Sequence, residues 1–92
     1  MKVVLDARAA ADLEDVFDWI AGDSPAAARA VVSRILASVE RLGAFPEMGR
    51  SGREPGTREW VVPGLPYIVV YEVRAEAAEV VVIAVFHGAQ DR

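Results

Sequence analysis

The sequence contains no cysteine, and its only histidine is His87. Without cysteine there is neither a disulfide framework nor a thiolate zinc site, and a lone histidine cannot build a conventional metal centre. We therefore expect no metal ion and no other cofactor. Lysine is almost as scarce, because Lys2 is the only one, so nearly all of the positive charge is carried by arginine. The planar guanidinium group binds carboxylate or phosphate through paired hydrogen bonds, whereas lysine acts as a mobile point charge.

Long apolar runs are missing as well. No run approaches the ~20 residues that cross a bilayer, and the first residues, MKVVLDARAA, reach Asp6 too early for a signal peptide. These absences predict a cytoplasmic protein with no membrane partner. At 92 residues the chain is predicted to form one domain, 1–92, because the residues left over could not close a second core.

What the chain has in abundance is apolar character. Its hydrophobic fraction is 53% and its mean hydropathy is +0.24, both high for a short soluble chain. Such a composition predicts a dense core, an apolar surface that a partner covers, or both. The formal net charge of -4 argues against tight nonspecific binding to nucleic acid, which depends on basic side chains that release phosphate counterions. We expect no direct binding to DNA in the absence of a protein partner.

Two amphipathic helices are predicted in the first half of the chain. Apolar residues at helical spacing predict the first helix over roughly 7–21. Ser24 followed by Pro25 marks the N-cap and the first helical position of the second helix, and Gly43 is its expected terminator. The connection between the helices is short, so they should pack as an antiparallel hairpin.

The rest of the chain has the composition of strands. Residues 2–5 form a short apolar run typical of a strand at or near a sheet edge. Residues 57–62, 66–73 and 79–86 are rich in valine, isoleucine and aromatics and are joined by short turns, which predicts antiparallel neighbours. The last of these runs is apolar at nearly every position, as in a central strand. The order β-α-α-β-β-β predicts an α+β fold, with the helical hairpin packed on one antiparallel sheet.

An irregular segment, residues 45–60, separates the second helix from these strands. It reads FPEMGRSGREPGTREW and carries three arginines: Arg50, Arg53 and Arg58. Three glutamates balance this charge over residues 47–59, which weakens a phosphate-binding role. The balance does not weaken a docking role, because arginines in such a segment can pair with an acidic protein surface. The segment therefore indicates protein docking in preference to nucleic-acid binding.

Four stretches of sequence point to a known family. They are ADLEDVFDWIAGDSP, LGAFPEMGRSGREPGTRE, PYIVVYEV and VVIAVFHGAQ, and they follow one another across nearly the whole chain. In this order they resemble the RelE/ParE superfamily of type II toxin-antitoxin toxins, and the GR-x-G and GTRE words resemble its ParE branch most closely. The resemblance implies a growth-inhibiting toxin that forms a hetero-oligomer with a cognate antitoxin, whose C-terminal segment wraps around it.

The resemblance leaves two activities open. ParE-like toxins are associated with poisoning DNA gyrase, whereas RelE-like toxins cut messenger RNA on the ribosome. The ribonucleases tend to carry a catalytic arginine where this chain has Ile68, and they tend to end in a catalytic tyrosine, which is missing after His87. The resemblance thus favours a toxin that binds gyrase and has no chemistry of its own. The alternative is a metal-independent, ribosome-dependent endoribonuclease that uses His87 and the loop arginines Arg50, Arg53 and Arg58. A third possibility is a chain that keeps the fold and the antitoxin interface but has lost toxicity.

The residues expected to contact the target or the antitoxin are Arg50, Arg53, Arg58, Tyr67 and His87. For His87 a strand-end histidine that is hydrogen-bonded within the fold is favoured over a catalytic one. Arg58 lies at the start of a strand, where it could instead form a structural ion pair with Asp15 or Asp18 of the first helix.

The remaining aromatic residues are expected to pack. Tyr67 and Tyr71 lie four residues apart in one strand and so face the same side, which favours core or cross-strand packing for both. Trp19 on the first helix and Trp60 on a strand are also interpreted as packing residues.

Overall fold

The structure is a computed structural model, and it describes residues 1–89. In chain order its elements are β1 (Lys2–Leu5), α1 (Ala7–Ala21), α2 (Pro25–Ala44), β2 (Arg50–Ser51), β3 (Thr57–Val61), β4 (Tyr67–Arg74) and β5 (Glu79–His87), with a short 3₁₀ turn at Ala75–Ala77 between the last two strands. None of the helices within residues 1–89 is long and apolar enough to cross a membrane.

Side-chain caps fix where the two helices begin. The Asp6 carboxylate accepts a hydrogen bond from the Ala9 N–H at 2.9 Å, and the Ser24 hydroxyl accepts one from the Ala27 N–H at 3.1 Å. Each cap satisfies a backbone donor that has no partner within its helix. The helices pack against each other and against the sheet, which confirms the predicted hairpin.

The sequence suggested that Gly43 terminates α2, but the structure shows that it does not. The helix continues to Ala44, and a Cβ atom on Gly43 would lie 2.7 Å from the Met1 carbonyl oxygen and 2.8 Å from a methyl group of Val3. The glycine is therefore needed for close packing of α2 against the chain before α1. The expectation of a terminator was wrong because a glycine near a helix end can serve packing as well as capping.

The sheet contains five strands in the order β1-β5-β4-β3-β2. The three predicted hairpin strands are antiparallel neighbours, and the α+β class is confirmed. The sheet is mixed, however, because β1 lies parallel to β5. No short turn joins these two strands, so the turn lengths that predicted antiparallel pairing did not apply to them. The two-residue strand β2 was not predicted, since it lies inside the irregular loop.

Both helices cover the same face of this sheet. The side chains packed between them include Val16 from α1, Ile35 from α2 and Val69, Tyr71 and Val82 from the sheet. Because side chains alternate along a strand, the neighbouring positions point away from the helices. This open face is largely apolar, and its centre is formed by Val61, Ile68, Val70, Ala84 and Phe86.

Candidate docking site

The loop between α2 and β3 is anchored by a buried tyrosine. Tyr71 has no exposed surface, and its hydroxyl donates a hydrogen bond to the Pro46 carbonyl at 2.8 Å and accepts one from the Gly49 N–H at 2.9 Å. Burial raises the pKa of Tyr71 above its ordinary value of 10.0, and the bond from Gly49 and the charge of Arg58 offset part of that rise. The packing predicted for this residue is confirmed, but its role in holding the loop was missed.

Gly49 allows the loop to reach that hydroxyl. A Cβ atom at this position would lie 2.6 Å from the Tyr71 hydroxyl oxygen and 2.8 Å from the Glu59 carbonyl oxygen. Distances this short require the loop to shift away from the sheet. Gly49 is therefore the loop glycine whose missing side chain lets the backbone come close enough to bond the Tyr71 hydroxyl.

Arg58 anchors the same loop from the adjacent strand. Arg58 and Tyr71 are direct cross-strand neighbours on β3 and β4. The Arg58 guanidinium donates a hydrogen bond to the Gly49 carbonyl at 2.8 Å and a longer one to the Glu47 carbonyl at 3.4 Å. The predicted ion pair with a helix carboxylate is wrong for the described residues, because these loop carbonyls are nearer partners. Arg58 therefore makes structural contacts, but with loop carbonyls and not with the helix carboxylate that was predicted.

Arg50 and Arg53 lie on the outer side of the anchored loop. Arg50 is paired with the carboxylate of Glu59 at 3.6 Å, and its own side chain is 65% exposed. The Arg53 backbone N–H donates to the same carboxylate at 3.2 Å, and the Arg53 residue is exposed. Glu59 itself is only 4% exposed, so the loop arginines also compensate a buried carboxylate. The balance between arginine and glutamate charge that the sequence showed corresponds here to direct contacts of Arg50 and Arg53 with Glu59.

His87 lies at the opposite end of the molecule's central strands, beside Tyr67. The two rings meet edge to face with their centroids 5.5 Å apart, and the His87 Nδ1 accepts a hydrogen bond from the Ala89 N–H at 3.0 Å. Both rings line a groove of about 510 Å³ between α1 and the end of β5, which we call the His87 groove. The hydrogen bond agrees with the structural role favoured for this histidine, while the groove leaves its ring able to meet a partner.

An acidic residue of α1 holds the sheet at this groove. The Asp12 carboxylate accepts a hydrogen bond from the Val85 N–H at 2.9 Å. Val85 follows a bulge in β5, where Ala84 is opposite Val70 and Val82 is opposite Tyr71, leaving Ile83 without a partner on β4. Asp12 was missed in the sequence because it looked like one more carboxylate on the polar face of a helix.

The two tryptophans have different environments. Trp60 is half-buried and packs against the core, as predicted, although its indole N–H is buried without a hydrogen-bond partner among residues 1–89. Trp19 is 80% exposed, so the packing predicted for it is wrong. It lies at the rim of the His87 groove, seven residues beyond Asp12 on the same face of α1. That spacing is visible in the sequence and could have identified the groove.

The structure does not bring the candidate site residues together at one point. The loop arginines lie near Tyr71, whereas Tyr67 and His87 lie four residues further along the strands. The candidates therefore divide into an arginine loop (residues 50–58) and the His87 groove. The arrangement offers two separate areas. The loop arginines lie beside the open face, whereas the groove lies on the helix side of the sheet, because Tyr67 belongs to the core and His87 is its direct cross-strand neighbour.

Known structures share this fold. A chain of the chromosomal ParDE toxin-antitoxin system from P. aeruginosa superposes with a TM-score of 0.82 at 24% identity, covering 95% of each chain. A chain of the intact E. coli RelBE toxin-antitoxin complex superposes with a TM-score of 0.70 at 18% identity, covering 98% of each chain. At these identities the similarity establishes the fold.

Similar sequences establish the family. The protein Y4kP of Sinorhizobium fredii is 37% identical over 83 residues, which cover 90% of this chain and 83% of that protein. Toxin RelE2 of Caulobacter vibrioides is 36% identical over 72 residues, covering 78% of this chain and 80% of that protein. The family model for the ParE toxin of the parDE type II toxin-antitoxin system matches residues 3–92. The chain belongs to this family of ParE toxins.

Proposed function

We propose that this chain is the toxin of a type II toxin-antitoxin pair, that a cognate antitoxin neutralises it, and that the free toxin inhibits DNA gyrase by binding. Family membership supports the first part, and the similar toxin chains solved from the ParDE and RelBE toxin-antitoxin systems support the second. The choice of gyrase over messenger RNA rests on the placement of the candidate catalytic residues. His87 and Arg58 lie too far apart to act together on one phosphate.

The separation follows from the register of the strands. His87 is opposite Tyr67 on β4, and Arg58 is opposite Tyr71 on the other side of the same strand. With a rise of about 3.4 Å per residue and a strand spacing of about 4.8 Å, the Cα atoms of His87 and Arg58 lie roughly 17 Å apart. A metal-free ribonuclease needs its acid, base and cation within hydrogen-bond reach of one phosphodiester. Arg58, moreover, already holds the loop carbonyls.

The centre of the open face also lacks the chemistry of a ribonuclease. Ile68, at the position where the ribonucleases tend to have an arginine, is 9% exposed and lies between Phe86 and Val61 on the neighbouring strands. These side chains can neither transfer a proton nor offset the charge of a phosphate. They are suited to contact with an apolar protein surface.

Docking is assigned to the groups around that apolar centre. Arg50 and Arg53 present guanidinium groups beside it, and Tyr67 and His87 line the groove on the helix side of the sheet. Exposed arginines at the rim of an apolar patch resemble the composition of protein interfaces. Arg58 contributes by fixing the loop on which Arg50 and Arg53 lie.

One observation favours the rival activity. The only histidine lies in an open groove next to a tyrosine, and histidine is the commonest general acid or base. A ribosome-dependent endoribonuclease that uses His87 is therefore the second candidate. It would require Arg50, Arg53 or another cation to approach His87 only when the ribosome is bound.

Toxin induction separates the two candidates. Inhibition of gyrase should give DNA breaks and an SOS response while protein synthesis continues in the first minutes, whereas a ribonuclease should stop translation at once. Both readouts are measured after expression of the chain without antitoxin. An immediate stop in translation with intact DNA would overturn the gyrase proposal.

The variant His87→Gln tests for chemistry directly. A general acid or base would lose on the order of 10²-fold or more in rate, whereas a binding toxin should lose no more than about tenfold in potency. Toxicity is compared at equal protein level, and melting temperature and antitoxin binding confirm that the variant is folded. Glu76→Gln is the control, because it removes an exposed titratable group on the turn after β4.

A further inference from the structure

The His87 groove has a charge opposite to that of the arginine loop. Two carboxylates from α1, Asp12 and Asp15, line it together with Trp19, and their spacing places all three on one face of the helix. The sheet contributes Tyr67 and His87. A volume of about 510 Å³ is enough for a long side chain with part of its backbone.

The groove has a buried apolar floor and an exposed aromatic rim. Val16 and Tyr67 form part of the floor and are 8% and 7% exposed, whereas Trp19 at the rim is 80% exposed. A tryptophan this exposed presents the face of its indole ring to solvent. Such a face attracts cations through the ring quadrupole and stacks well against the flat guanidinium group.

The carboxylates of Asp12 and Asp15 differ in the contacts that they make within the chain. Asp12 accepts the hydrogen bond from Val85 and lies 3.9 Å from the guanidinium of Arg8. Asp15 is exposed, and within residues 1–89 no hydrogen bond or ion pair holds its carboxylate. Two more exposed acidic residues, Glu14 and Asp18, lie on the same helix. The negative charge of Asp12 and Asp15, which line the groove, disfavours a phosphate or an acidic segment there and favours a cation.

We propose that the His87 groove binds an arginine side chain of the antitoxin, with the guanidinium stacked on Trp19 and its N–H groups donating to Asp15. This assignment rests on the proposed function, since it identifies a contact of the same partner. Arginine fits better than lysine because one planar group can stack and bind a carboxylate at the same time. The antitoxin is thereby assigned two contacts: an acidic part meets Arg50 and Arg53, and an arginine lies at Trp19.

The chemistry of the groove can be measured without the antitoxin. N-acetyl-arginine amide, N-acetyl-lysine amide and N-acetyl-glutamine amide are titrated to millimolar concentration into the full chain, and NMR follows the Trp19 indole N–H. The arginine compound should shift this resonance most, the lysine compound less and the neutral glutamine compound least. Asp15→Asn should reduce the response to arginine, whereas Asp18→Asn, which changes an exposed carboxylate outside the groove, should not. Equal responses to arginine and glutamine would overturn the proposal.

The complex with the antitoxin provides the second measurement. The cognate antitoxin is taken as the product of the neighbouring gene, and its affinity is determined for the parent chain and for Asp15→Asn and Trp19→Ala. Each substitution should weaken binding about tenfold, which corresponds to about 1.4 kcal/mol. Leu36→Ala on α2 is the control for Trp19→Ala, because it removes another exposed apolar side chain. Trp19 and Asp15 are exposed, so these variants should melt like the parent.

The two measurements separate failure of this inference from failure of the proposed function. If the parent binds the antitoxin and both groove variants bind it equally well, the groove assignment is wrong and the proposed function stands. If the parent binds no antitoxin while the arginine compound still selects the groove, the proposed partner is wrong and so is the assignment to it. Weaker binding by both groove variants and not by either control supports the inference.

Discussion

Tyr71 illustrates how one hydroxyl group determines the position of a loop. Its ring is fully buried on β4, while its oxygen joins the carbonyl of Pro46 and the N–H of Gly49. A phenylalanine would fill the same space in the core but would leave both backbone groups without their partner. An unsatisfied buried polar group costs about 1–3 kcal/mol, which is large compared with the net value of one hydrogen bond.

The substitution Tyr71→Phe should therefore lower the free energy of unfolding by about 1–3 kcal/mol. For a chain of this size that loss lowers the melting temperature by roughly 4 °C or more. Thermal unfolding followed by circular dichroism measures the effect. Tyr67→Phe is the matched control, because no hydrogen bond of its hydroxyl is found within residues 1–89. Equal melting temperatures for Tyr71→Phe and the parent would show that the anchor contributes nothing.

Tyr71 also makes the stability of the fold depend on pH in the alkaline range. The pKa of Tyr71 is raised in the folded chain by burial, so the folded state favours the protonated hydroxyl. Its contribution is fully present below the ordinary pKa of 10.0 and is lost as the pH rises through the higher folded value. The stability difference between the parent and Tyr71→Phe should therefore shrink above pH 10.0, as measured by denaturant unfolding at several pH values. A difference that stays constant would contradict this assignment.

Sequence alone predicted the direction of these side chains but not their polar partners. Alternation along the strand placed Tyr67 and Tyr71 on one face, as observed. The partners of the Tyr71 hydroxyl are backbone groups of a loop without periodicity, so no pattern indicated them. Trp19 was predicted to pack because aromatic residues usually do, yet within residues 1–89 its side chain is 80% exposed, at the rim of the His87 groove. Whether Trp19 is buried depends on how far the strands extend beneath α1. The spacing of residues along the helix carries no information about that length.

At the scale of elements, the loop before β3 is attached to the sheet by two neighbouring strands. Tyr71 holds it from β4 and Arg58 holds it from β3, and the short strand β2 pairs with β3 just beyond the anchor. Arg50 lies on β2 itself, so the position of its guanidinium depends on this attachment. The loop is thus a rigid support for the arginines, even though its sequence is that of an irregular connection.

Arg58→Ala should loosen this support. The charged hydrogen bond to the Gly49 carbonyl is worth about 1.5–3 kcal/mol when buried, and partial exposure lowers that, so a loss of about 1 kcal/mol in unfolding free energy is expected. Arg58→Lys should recover only part of it, because an ammonium group lacks the fork that reaches both carbonyls. Arg29→Ala on α2, which removes an exposed arginine, is the control, and chemical denaturation measures all three. If Arg58→Ala unfolds like Arg29→Ala, Arg58 does not anchor the loop.

The sequence predicted the existence and limits of most elements. The first helix was placed at its observed limits, and each of the three hairpin strands was within one residue of its observed ends, since caps and turns lie next to them in the chain. The parallel pairing of β1 with β5 escaped prediction because it joins the two ends of the chain. Strand β2 was not predicted, because a strand of two residues is too short to show an alternating pattern. Contacts between distant segments, including Asp12 with Val85, were the part that local patterns could not supply.

For the whole molecule, the decisive feature is that, within residues 1–89, helices cover only one face of the sheet. The open face is apolar at Val61, Ile68 and Phe86 and has arginines at one end, whereas the acidic His87 groove lies on the helix side of the sheet. A partner that covered this face would remove apolar surface from water and meet the charge of the loop arginines at one end. The high apolar fraction of the sequence is thus explained by the core and by an unpaired surface together.

Val61→Lys tests whether the antitoxin covers this open face. Val61 is 46% exposed, so lysine should change the unfolding free energy by no more than about 0.5 kcal/mol. In the complex, however, the ammonium group would be placed against an apolar surface, and affinity for the antitoxin should fall about tenfold or more. Because a ligand at about 1,000 times its Kd adds about 4 kcal/mol of stability, a tenfold loss should also reduce the antitoxin's stabilising effect by about 1.4 kcal/mol. Isothermal titration and melting with antitoxin measure both, and Ala77→Lys, which adds the same charge at the exposed turn after β4, is the control. If Val61→Lys and Ala77→Lys bind the antitoxin equally well, the antitoxin leaves this face uncovered.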